Sequence, residues 1–379
     1  MAMVLSDEQR LLQTSVRDFC HSVATVSVLR HLRDTQDADG FSRSVWTQMV
    51  ELGWAGMTIP EEYGGFEFGY GGLEVVLEET GRTLVPTPLV STVLLGAAAI
   101  MLGGTPAQKA TLLPAIAAGE RLVSLALEET PFHNPTRIAT RAQEQGAGFV
   151  LNGCKTLVLD GHVADTLIVV ARTAGERDDV HGISLFLVDR HAQGVHVSRL
   201  NMVDSRNAAQ IHFANVTLGA EALLGTLHDA HAVLERTLDI GRIGLAAEML
   251  GNAQEVFDRI LVYLKQREQF GVLIGAFQGL QHRAATMYSE LELCRSVVRR
   301  AFSALDDGED CVAELASIAK AKLSEVLMLV SNEGVQMHGG IGMTDEFDIG
   351  FFLKRARVAQ ALLGDAAWHR DRYARLKGF

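Results

Sequence analysis

The spacing of apolar residues changes twice along this chain of 379 residues, and this change restricts its architecture more than any other feature. From the start to about residue 119, apolar residues recur every three or four positions, which is the period of an amphipathic helix. Ser6 and Gln9 have the spacing of a capping box at a helix N-terminus. Further helices are predicted over residues 45–52, 72–84, 89–102 and 106–118.

Between about residues 122 and 225 the pattern is that of short strands instead. Residues 149–151 and 156–159 are rich in β-formers and flank Asn152-Gly153, so a hairpin is predicted with its turn at this pair. More strands are predicted over residues 166–171, 183–188, 195–197 and 210–213. Strands of this length and spacing favour a small antiparallel β domain.

The last region returns to the helical period, and it does so over long segments. Residues 243–264, 280–305 and 312–337 each carry an apolar stripe, which predicts an antiparallel bundle of helices only. The predicted fold class is therefore α+β with segregated regions. We expect an N-terminal helical domain (1–119), a middle β domain (120–225) and a C-terminal four-helix bundle (226–379).

The formal net charge of −12 argues against two classes of partner, nucleic acids and anionic membranes. An anionic ligand such as a nucleotide would need a local basic patch or helix N-termini. The most apolar stretch, residues 89–102, contains Ser and Gly and is too short to span a bilayer, so no membrane insertion is expected. The N-terminal residues lack the pattern of a signal peptide, which predicts a cytoplasmic protein.

The four cysteines, Cys20, Cys154, Cys294 and Cys311, are far apart in the sequence. None has a neighbouring cysteine or histidine at the spacing of a metal site. They are predicted to be reduced and mostly buried thiols, with no disulfide and no metal.

Five sequence blocks carry a resemblance to a known family. They occupy residues 52–65, 238–247, 267–271, 277–282 and 336–343. Together and in this order they resemble the acyl-CoA dehydrogenase flavoproteins, over nearly the whole chain. The resemblance implies an enzyme that oxidises the Cα–Cβ bond of an acyl-CoA thioester with FAD and passes electrons to an electron-transfer flavoprotein.

The resemblance also implies a set of FAD-binding residues that serve the FAD of a neighbouring subunit, and hence an oligomer. The matching positions are Arg267, Phe270, Gln278, Gln336, Gly339 and Gly340. An arginine suits a pyrophosphate, and paired glycines after a helix let the backbone approach a ligand. From the residue alone, the preferred interpretation of Arg267 is a solvated helix-end charge. The alternative for Gln336 is a polar residue at a helix C-terminus.

Three further positions, Asp239, Gly241 and Arg242, match those where the family contacts acyl-CoA. The alternative interpretation is a structural ion pair inside the bundle.

The chain departs from the family where the β domain should hold the isoalloxazine ring. Residues 127–134 match a Thr-Glu-Pro-x-x-Gly-Ser-Asp type loop, but only Glu128 and a displaced Pro131 remain. Leu127 replaces a threonine of that loop, and Leu157 and Leu159 replace a tryptophan and a threonine of the next strand. Hydroxyl donors to the flavin edge are therefore missing.

The family's catalytic glutamate is also replaced. Leu363 stands at its position, and leucine cannot accept a proton. Asp365, two residues further on, is the first candidate base, with an N-cap of the following helix as the alternative. The second candidate is Glu235, beside Leu234 at the position that other family members use. Its alternative role is a solvated helix charge.

The run 339–347 and the ending Leu363-Gly364-Asp365 resemble the small-subunit type of bacterial heteromeric acyl-CoA dehydrogenases, such as the smaller pimeloyl-CoA dehydrogenase subunit. The leading hypothesis is thus a dehydrogenase subunit that acts in a homo- or hetero-oligomer, with another acyl-CoA dehydrogenase-like chain as partner. The alternatives are a non-catalytic subunit that completes a partner's FAD site, and a flavin-dependent oxygenase or oxidase on the same fold.

Overall fold

A computed structural model describes residues 4–379, and its helices and strands follow the predicted order of helical, β and helical regions. The contacts divide the chain into two compact units. We call them the bundle unit (residues up to 31, 70–85 and 242–379) and the β unit (32–69 and 86–241). The domain limits at residues 119 and 225 stay a prediction, because compactness groups segments that are distant in sequence.

The α-helices in the described part of the chain are α1 (Asp7–Ser22), α2 (Val26–Asp34), α3 (Arg43–Glu51), α4 (Tyr70–Arg82), α5 (Ala98–Gly103), α6 (Pro106–Ala117), α7 (His231–Leu264), α8 (Gln278–Asp306), α9 (Val312–His338), α10 (Ile349–Ala361) and α11 (Ala366–Leu376). A π-helix, Leu89–Ala97, runs directly into α5. Within residues 4–379, no helix combines the length and the apolarity that crossing a membrane requires.

The strands found in the same residues are β1 (Val123–Ala126), β2 (Arg141–Gln145), β3 (Gly148–Leu159), β4 (Thr166–Arg172), β5 (Ile183–Asp189), β6 (Val195–Asn201), β7 (Asn207–Gly219), β8 (Leu223–Leu224), β9 (Glu268–Gln269) and β10 (Val272–Leu273). Strands β1 to β8 form one sheet in the order β6-β7-β3-β2-β4-β5-β8, with β1 parallel to β4. The other pairings are antiparallel except at one residue pair of β2 and β4.

The capping box predicted before α1 is confirmed. The Ser6 hydroxyl accepts the Gln9 N–H at 3.2 Å, and the Gln9 side chain accepts the Ser6 N–H at 3.0 Å. Two otherwise unpaired N–H groups at the helix start are thereby satisfied.

Helix α4 is the buried helix of the bundle unit, and it carries charges into the interior. Three of its glutamates face arginines of other helices: Glu79 with Arg17 at 2.7 Å, Glu78 with Arg295 at 2.5 Å and Glu74 with Arg299 at 3.5 Å. Buried carboxylates need such partners because leaving water is costly for a charge. Burial nevertheless raises the pKa of Glu74 to about 7.

The hairpin predicted at Asn152-Gly153 is wrong, because β3 continues through both residues. The turn lies earlier, where Gly146 has a φ of +62° between β2 and β3. The Asn152 side chain instead accepts the N–H of Asn215 on β7 at 2.8 Å. The β3–β7 register shifts between Leu151 and Gly153, so the Asn-Gly pair marks an irregularity within a strand.

The prediction that the C-terminal region contains helices only is wrong. Strands β9 and β10 form a two-residue hairpin between α7 and α8. Phe270 and Gly271 make its turn with φ values of +55° and +79°. The hairpin was missed because its strands are too short to show a period of two.

Candidate functional site

Arg267 lies just beyond the C-terminal end of α7, where its backbone is fixed on both sides. Its N–H donates to the Tyr263 carbonyl at 2.9 Å, and its own carbonyl accepts the Ile274 N–H at 2.8 Å. The residue itself is exposed. An anchored backbone with a free-standing guanidinium is suited to binding an anionic group.

Phe270 stands at the tip of the β9–β10 hairpin with 92% of its surface exposed. Its ring meets the Phe277 ring edge-on, at 6.2 Å between centroids. Gln278 follows Phe277 as the first residue of α8. Val272, Leu273 and Phe277 beside Phe270 are also exposed, so this segment carries an apolar patch of the kind that another molecule covers.

Helix α9 ends at a glycine pair whose backbone is open to its surroundings. Gly339 has a φ of +63°, and its N–H donates to the carbonyl of Gln336. A Cβ added at Gly339 or at Gly340 would meet no atom within 4 Å. Another chain or a ligand could therefore approach this backbone closely.

His338 holds the glycine pair in place from the inner side. Its Nδ1 lies 2.6 Å from the Gly334 carbonyl, and its ring packs 4.5 Å from Tyr263 and 4.9 Å from Phe347. Burial lowers the pKa of His338, which favours the neutral imidazole. The glycine turn is thus rigid on one side and open on the other.

The six predicted FAD-binding positions lie at the same end of the bundle. The Tyr263–His338 packing joins the end of α7 to the end of α9. An ion pair between Arg283 and Glu333 joins the beginning of α8 to the last turns of α9. Arg267 lies four residues after Tyr263, and Gln278 lies five residues before Arg283. Gln336, Gly339 and Gly340 lie beside His338, so each position is within two helical turns of one of these contacts.

The structure places the predicted acyl-CoA positions in the interior of α7. Asp239 is 3% exposed and Arg242 is fully buried, with Gly241 buried between them. The guanidinium of Arg242 lies over the Trp368 ring at 4.7 Å from its centroid. Their contact with acyl-CoA stays a prediction.

Asp365 occupies the N-cap of α11. Its Oδ1 accepts the Trp368 N–H at 2.8 Å, which is the alternative role that the sequence left open. Leu363, before it, has a φ of +57° and is buried. The second candidate base, Glu235, is half-buried on α7. A catalytic role for Asp365 or Glu235 stays a prediction.

A buried lysine next to this loop was missed by the sequence reasoning. Lys320 is fully buried on α9, and its ammonium donates to the carbonyls of Gly364 at 2.8 Å and Gln360 at 3.1 Å. Burial lowers its pKa to about 7, against the opposing charge of Asp365. The only sequence signal was one lysine among the small apolar residues of the α9 stripe.

In the β unit, the residues near the departures from the family pattern are paired with one another. Lys155 is 0% exposed and donates to Glu129 at 2.8 Å and to the Leu127 carbonyl at 2.9 Å. Glu129 also accepts the N–H groups of Ala139 and Thr140. Burial alone would raise the pKa of Glu129, but these partners hold it below its ordinary value.

The loop after β1 contains a second internal pair. The His133 Nδ1 lies 2.5 Å from a carboxylate oxygen of Glu128, and both side chains are largely buried. Leu157, on β3, has a φ of +52° and lies in a register shift of the β3–β7 pairing. The positions matched to the family's tryptophan and threonine residues thus hold leucines, beside polar side chains that are already bonded within the chain.

The β unit also contains a cavity of about 480 Å³ with a basic lining. Arg33, Arg199 and Arg206 line it, together with Leu32, Gln36, Gly40, Leu200, Asn201, Met202 and Ser205. Arg199 is positioned by bonds to the Ala38 carbonyl and the Asn207 side chain, both at 2.9 Å. Such a lining is the kind of local basic patch that an anionic ligand of an acidic chain requires, with the charge of Arg33 partly offset by Asp34 at 2.7 Å. Its arginines are too far apart in sequence to have formed a motif.

The chain matches the three domains of one protein family in succession. Residues 6–120 match the acyl-CoA dehydrogenase N-terminal domain, residues 128–216 its middle domain and residues 231–377 its C-terminal domain. The matches cover most of the chain in the order that the fold displays.

Individual relatives give the same result. The chain is 30% identical to the short/branched chain specific acyl-CoA dehydrogenase of Bos taurus, over 93% of this chain and 82% of that protein. The butyryl-CoA dehydrogenase of Megasphaera elsdenii has a TM-score of 0.92 at 26% identity, with 100% of both chains covered. A variant of the Tcur3481–Tcur3483 steroid ACAD has a TM-score of 0.88 at 31% identity, with 98% of both chains covered. The chain therefore belongs to the acyl-CoA dehydrogenase family of FAD-dependent oxidoreductases, which act on CH–CH bonds.

Proposed function

We propose that this chain is one subunit of a cytoplasmic acyl-CoA dehydrogenase that desaturates the Cα–Cβ bond of an acyl-CoA thioester and passes the electrons to an electron-transfer flavoprotein. The chain works in an oligomer with a second acyl-CoA dehydrogenase-like chain, whose FAD it helps to bind. One observation carries the proposal. The end of the bundle is open and presents ligand-binding groups, whereas the matching β-unit positions are apolar or paired internally.

The end of the bundle fits one side of an FAD site. Arg267 would supply charge-assisted bonds to the pyrophosphate, and the open backbone of Gly339 and Gly340 would allow close approach. Phe270 and Met343, which is 78% exposed, would be covered by the partner chain. The residues present therefore fit the cofactor on this side.

The β unit does not offer the complementary set of donors to an isoalloxazine ring. Leu157 and Leu159 have no polar side-chain atom, and the Lys155 ammonium is already bonded to Glu129 and Leu127. A buried flavin edge without a donor costs about 1–3 kcal/mol per unpaired group. A complete site is therefore expected in the partner's β domain rather than in this one.

The arginine-lined cavity is suited to the phosphates of an acyl-CoA. Arg33, Arg199 and Arg206 gather positive charge in a chain whose net charge is −12. Guanidinium groups bind phosphate oxygens through paired donors. This cavity would bind and orient the nucleotide end of the substrate.

When bound, FAD would take up the β-hydrogen together with two electrons, and the α-hydrogen would leave as a proton to a separate base. Leu363 cannot take it, and Asp365 already accepts the Trp368 N–H as a helix cap. We therefore assign the base to the partner chain. The role of this chain is to hold the cofactor, to bind substrate phosphates and to cover apolar surface.

The test is the flavin-to-protein ratio of this chain purified alone and purified together with any second dehydrogenase-like chain that it retains from its native cells. Alone, the chain is expected to hold much less than one FAD per copy. The assembly is expected to hold one FAD per pair of unlike chains, which acyl-CoA bleaches under anaerobic conditions. One FAD per copy of the chain alone, reduced by acyl-CoA, would refute the division of labour.

A matched pair of glycine variants tests the proposed contact surface. Gly340→Val adds a side chain in open space, so the fold should survive while FAD is lost from the assembly. Gly350→Val, at another open glycine, is the control and should retain FAD. Peroxide formation in place of electron transfer would favour the flavin-dependent oxidase. An assembly that binds flavin but is inactive would favour the non-catalytic subunit.

A further inference from the structure

The outward side of the β sheet carries a cluster of three side chains that the dehydrogenase function does not use. Cys154 on β3 lies directly across from His212 on β7, and Gln210 precedes His212 by two positions on the same strand. Residues two apart on a strand share a face, so all three project from one surface. His212 is exposed, and Cys154 and Gln210 are half-buried.

The polar ends of these side chains form a nearly regular triangle. The Cys154 Sγ lies 3.7 Å from the His212 Nε2 and 3.6 Å from the Gln210 Nε2. The Gln210 Nε2 lies 3.3 Å from the His212 Nε2. The oxygen and nitrogen of a glutamine amide are interchangeable by a rotation of 180°, so Oε1 can take the Nε2 position.

The sides of this triangle match one face of a tetrahedral metal site. Zinc lies about 2.3 Å from a sulfur ligand and about 2.0–2.2 Å from a nitrogen or oxygen ligand, and tetrahedral angles then set the distances between the ligand atoms. Sulfur lies about 3.6 Å from nitrogen and from oxygen, and nitrogen lies about 3.4 Å from oxygen. The three separations in this structure are within about 0.1 Å of these values, and they are also the separations of hydrogen bonds among the same atoms.

We propose that Cys154, His212 and Gln210 form a binding site for a zinc-like divalent cation. A thiolate, an imidazole and an amide oxygen supply three ligands, and water completes the coordination. No three His, Cys, Asp or Glu side chains among residues 4–379 are grouped to hold a metal, so the Gln210 amide is needed for the site.

The sequence predicted no metal because it offered no short ligand spacing. Gln210 and His212 on β7 are 56 and 58 residues from Cys154 on β3, and the β3–β7 register brings the three together. Paired strands hold such ligands more rigidly than a loop does.

Cobalt(II) binding to the full-length chain, after treatment with a chelator, tests the site directly. One cobalt ion per chain is expected, with the visible bands of tetrahedral cobalt and a near-ultraviolet sulfur-to-cobalt charge-transfer band. Excess zinc should remove both. Cys154→Ser should abolish the charge-transfer band, and Cys154→Ser and His212→Ala should each weaken binding by at least about 100-fold. Gln210→Ala should weaken it by about 10-fold.

Cys311→Ser is the matched control, because Cys311 is the other cysteine that is not buried. It should leave cobalt binding unchanged. Cys20 and Cys294 are poor competitors, since burial raises the pKa of each thiol to about 12. The proposal is overturned if cobalt binds without the sulfur band, if the band survives Cys154→Ser in a chain with unchanged circular dichroism, or if no cobalt binds at micromolar concentration. None of these readouts depends on FAD or on dehydrogenase activity.

Discussion

The two units of this chain use their polar residues in opposite ways at the positions that the sequence predicts to lie near flavin. At the end of the bundle, Arg267 and Phe270 are exposed and Gly339 and Gly340 face open space. In the β unit, the ammonium of Lys155 is fully buried and bonded within the chain. A subunit that contributes to a shared site is expected to show this difference, because the surface given to a partner must stay available. Polar groups of the β unit that do not contact a partner can instead bond to one another within the chain.

The largest expected effect comes from breaking the interior pair of the β unit. Lys155→Met should lower the free energy of unfolding by about 3–5 kcal/mol, because it leaves Glu129 charged and buried without its partner. Urea denaturation followed by circular dichroism measures the change. Arg43→Met, which breaks the exposed Arg43–Asp39 pair of the same unit, is the control and should cost less than about 1 kcal/mol. Equal costs would show that the β interior does not depend on this pair.

The bundle unit has an interior charge with a defined pH dependence. The pKa of Glu74 is raised to about 7, so the folded state favours the protonated form and stability falls as pH rises from about 4.5 to 7. Glu74→Gln removes this dependence. Its stability relative to the wild type should therefore rise by about 3 kcal/mol between pH 5 and pH 8.

Thermal or urea unfolding at the two pH values measures the Glu74 effect. Glu292→Gln is the control, because the Glu292 side chain is 49% exposed and pairs with Arg295 on the same helix. If the stability of Glu74→Gln relative to the wild type does not change with pH, the Glu74 carboxyl does not have a raised pKa in the folded state.

The open end of the bundle is tested through Arg267. Arg267→Ala should weaken FAD binding in the assembled enzyme by about 1.5–3 kcal/mol for each charge-assisted bond lost. Equilibrium dialysis or flavin fluorescence measures the affinity. Lys265→Ala changes an equally exposed cation two residues earlier and should have little effect. Unchanged FAD affinity in a folded Arg267→Ala assembly would remove the main distinction between the two units.

The smallest expected effect separates the two roles of Asp365. Asp365→Asn preserves a good helix cap but removes the carboxylate, so stability and activity of the assembly should both stay near the wild type. Asp365→Ala should cost about 1 kcal/mol of stability through the lost cap. If Asp365→Asn abolishes activity while unfolding is unchanged, this chain supplies the catalytic base and our assignment of it to the partner is wrong.

Local patterns in the sequence predicted the elements well where the period was long and the signals agreed. Helix α9, with 27 residues, and the capping box of α1 were both predicted from spacing alone. Asn152-Gly153 misled because the same dipeptide fits a turn and a strand irregularity. The choice between them depends on a partner strand, here through Asn215, which is distant in sequence.

The candidate site divides in the same manner. Residues that lie in contiguous blocks, such as Arg267 and the Gly339-Gly340 pair, could be found from their neighbours in sequence. The arginine cavity and the Lys155–Glu129 pair could not, because their members come from separate segments. Lys320 was hidden for another reason, since its importance depends on burial rather than on spacing.

By itself, the sequence determined the order of helical and β regions, the family and the residues that depart from its pattern, because these are properties of adjacent positions. Only the tertiary structure decided which groups face solvent and which face each other. It placed Lys155 against Glu129, left the backbone of Gly339 and Gly340 open and brought Cys154 beside His212. The physical reason is that burial and pairing set the free energy of a charged or polar group, and both depend on residues that the fold brings together from distant parts of the chain.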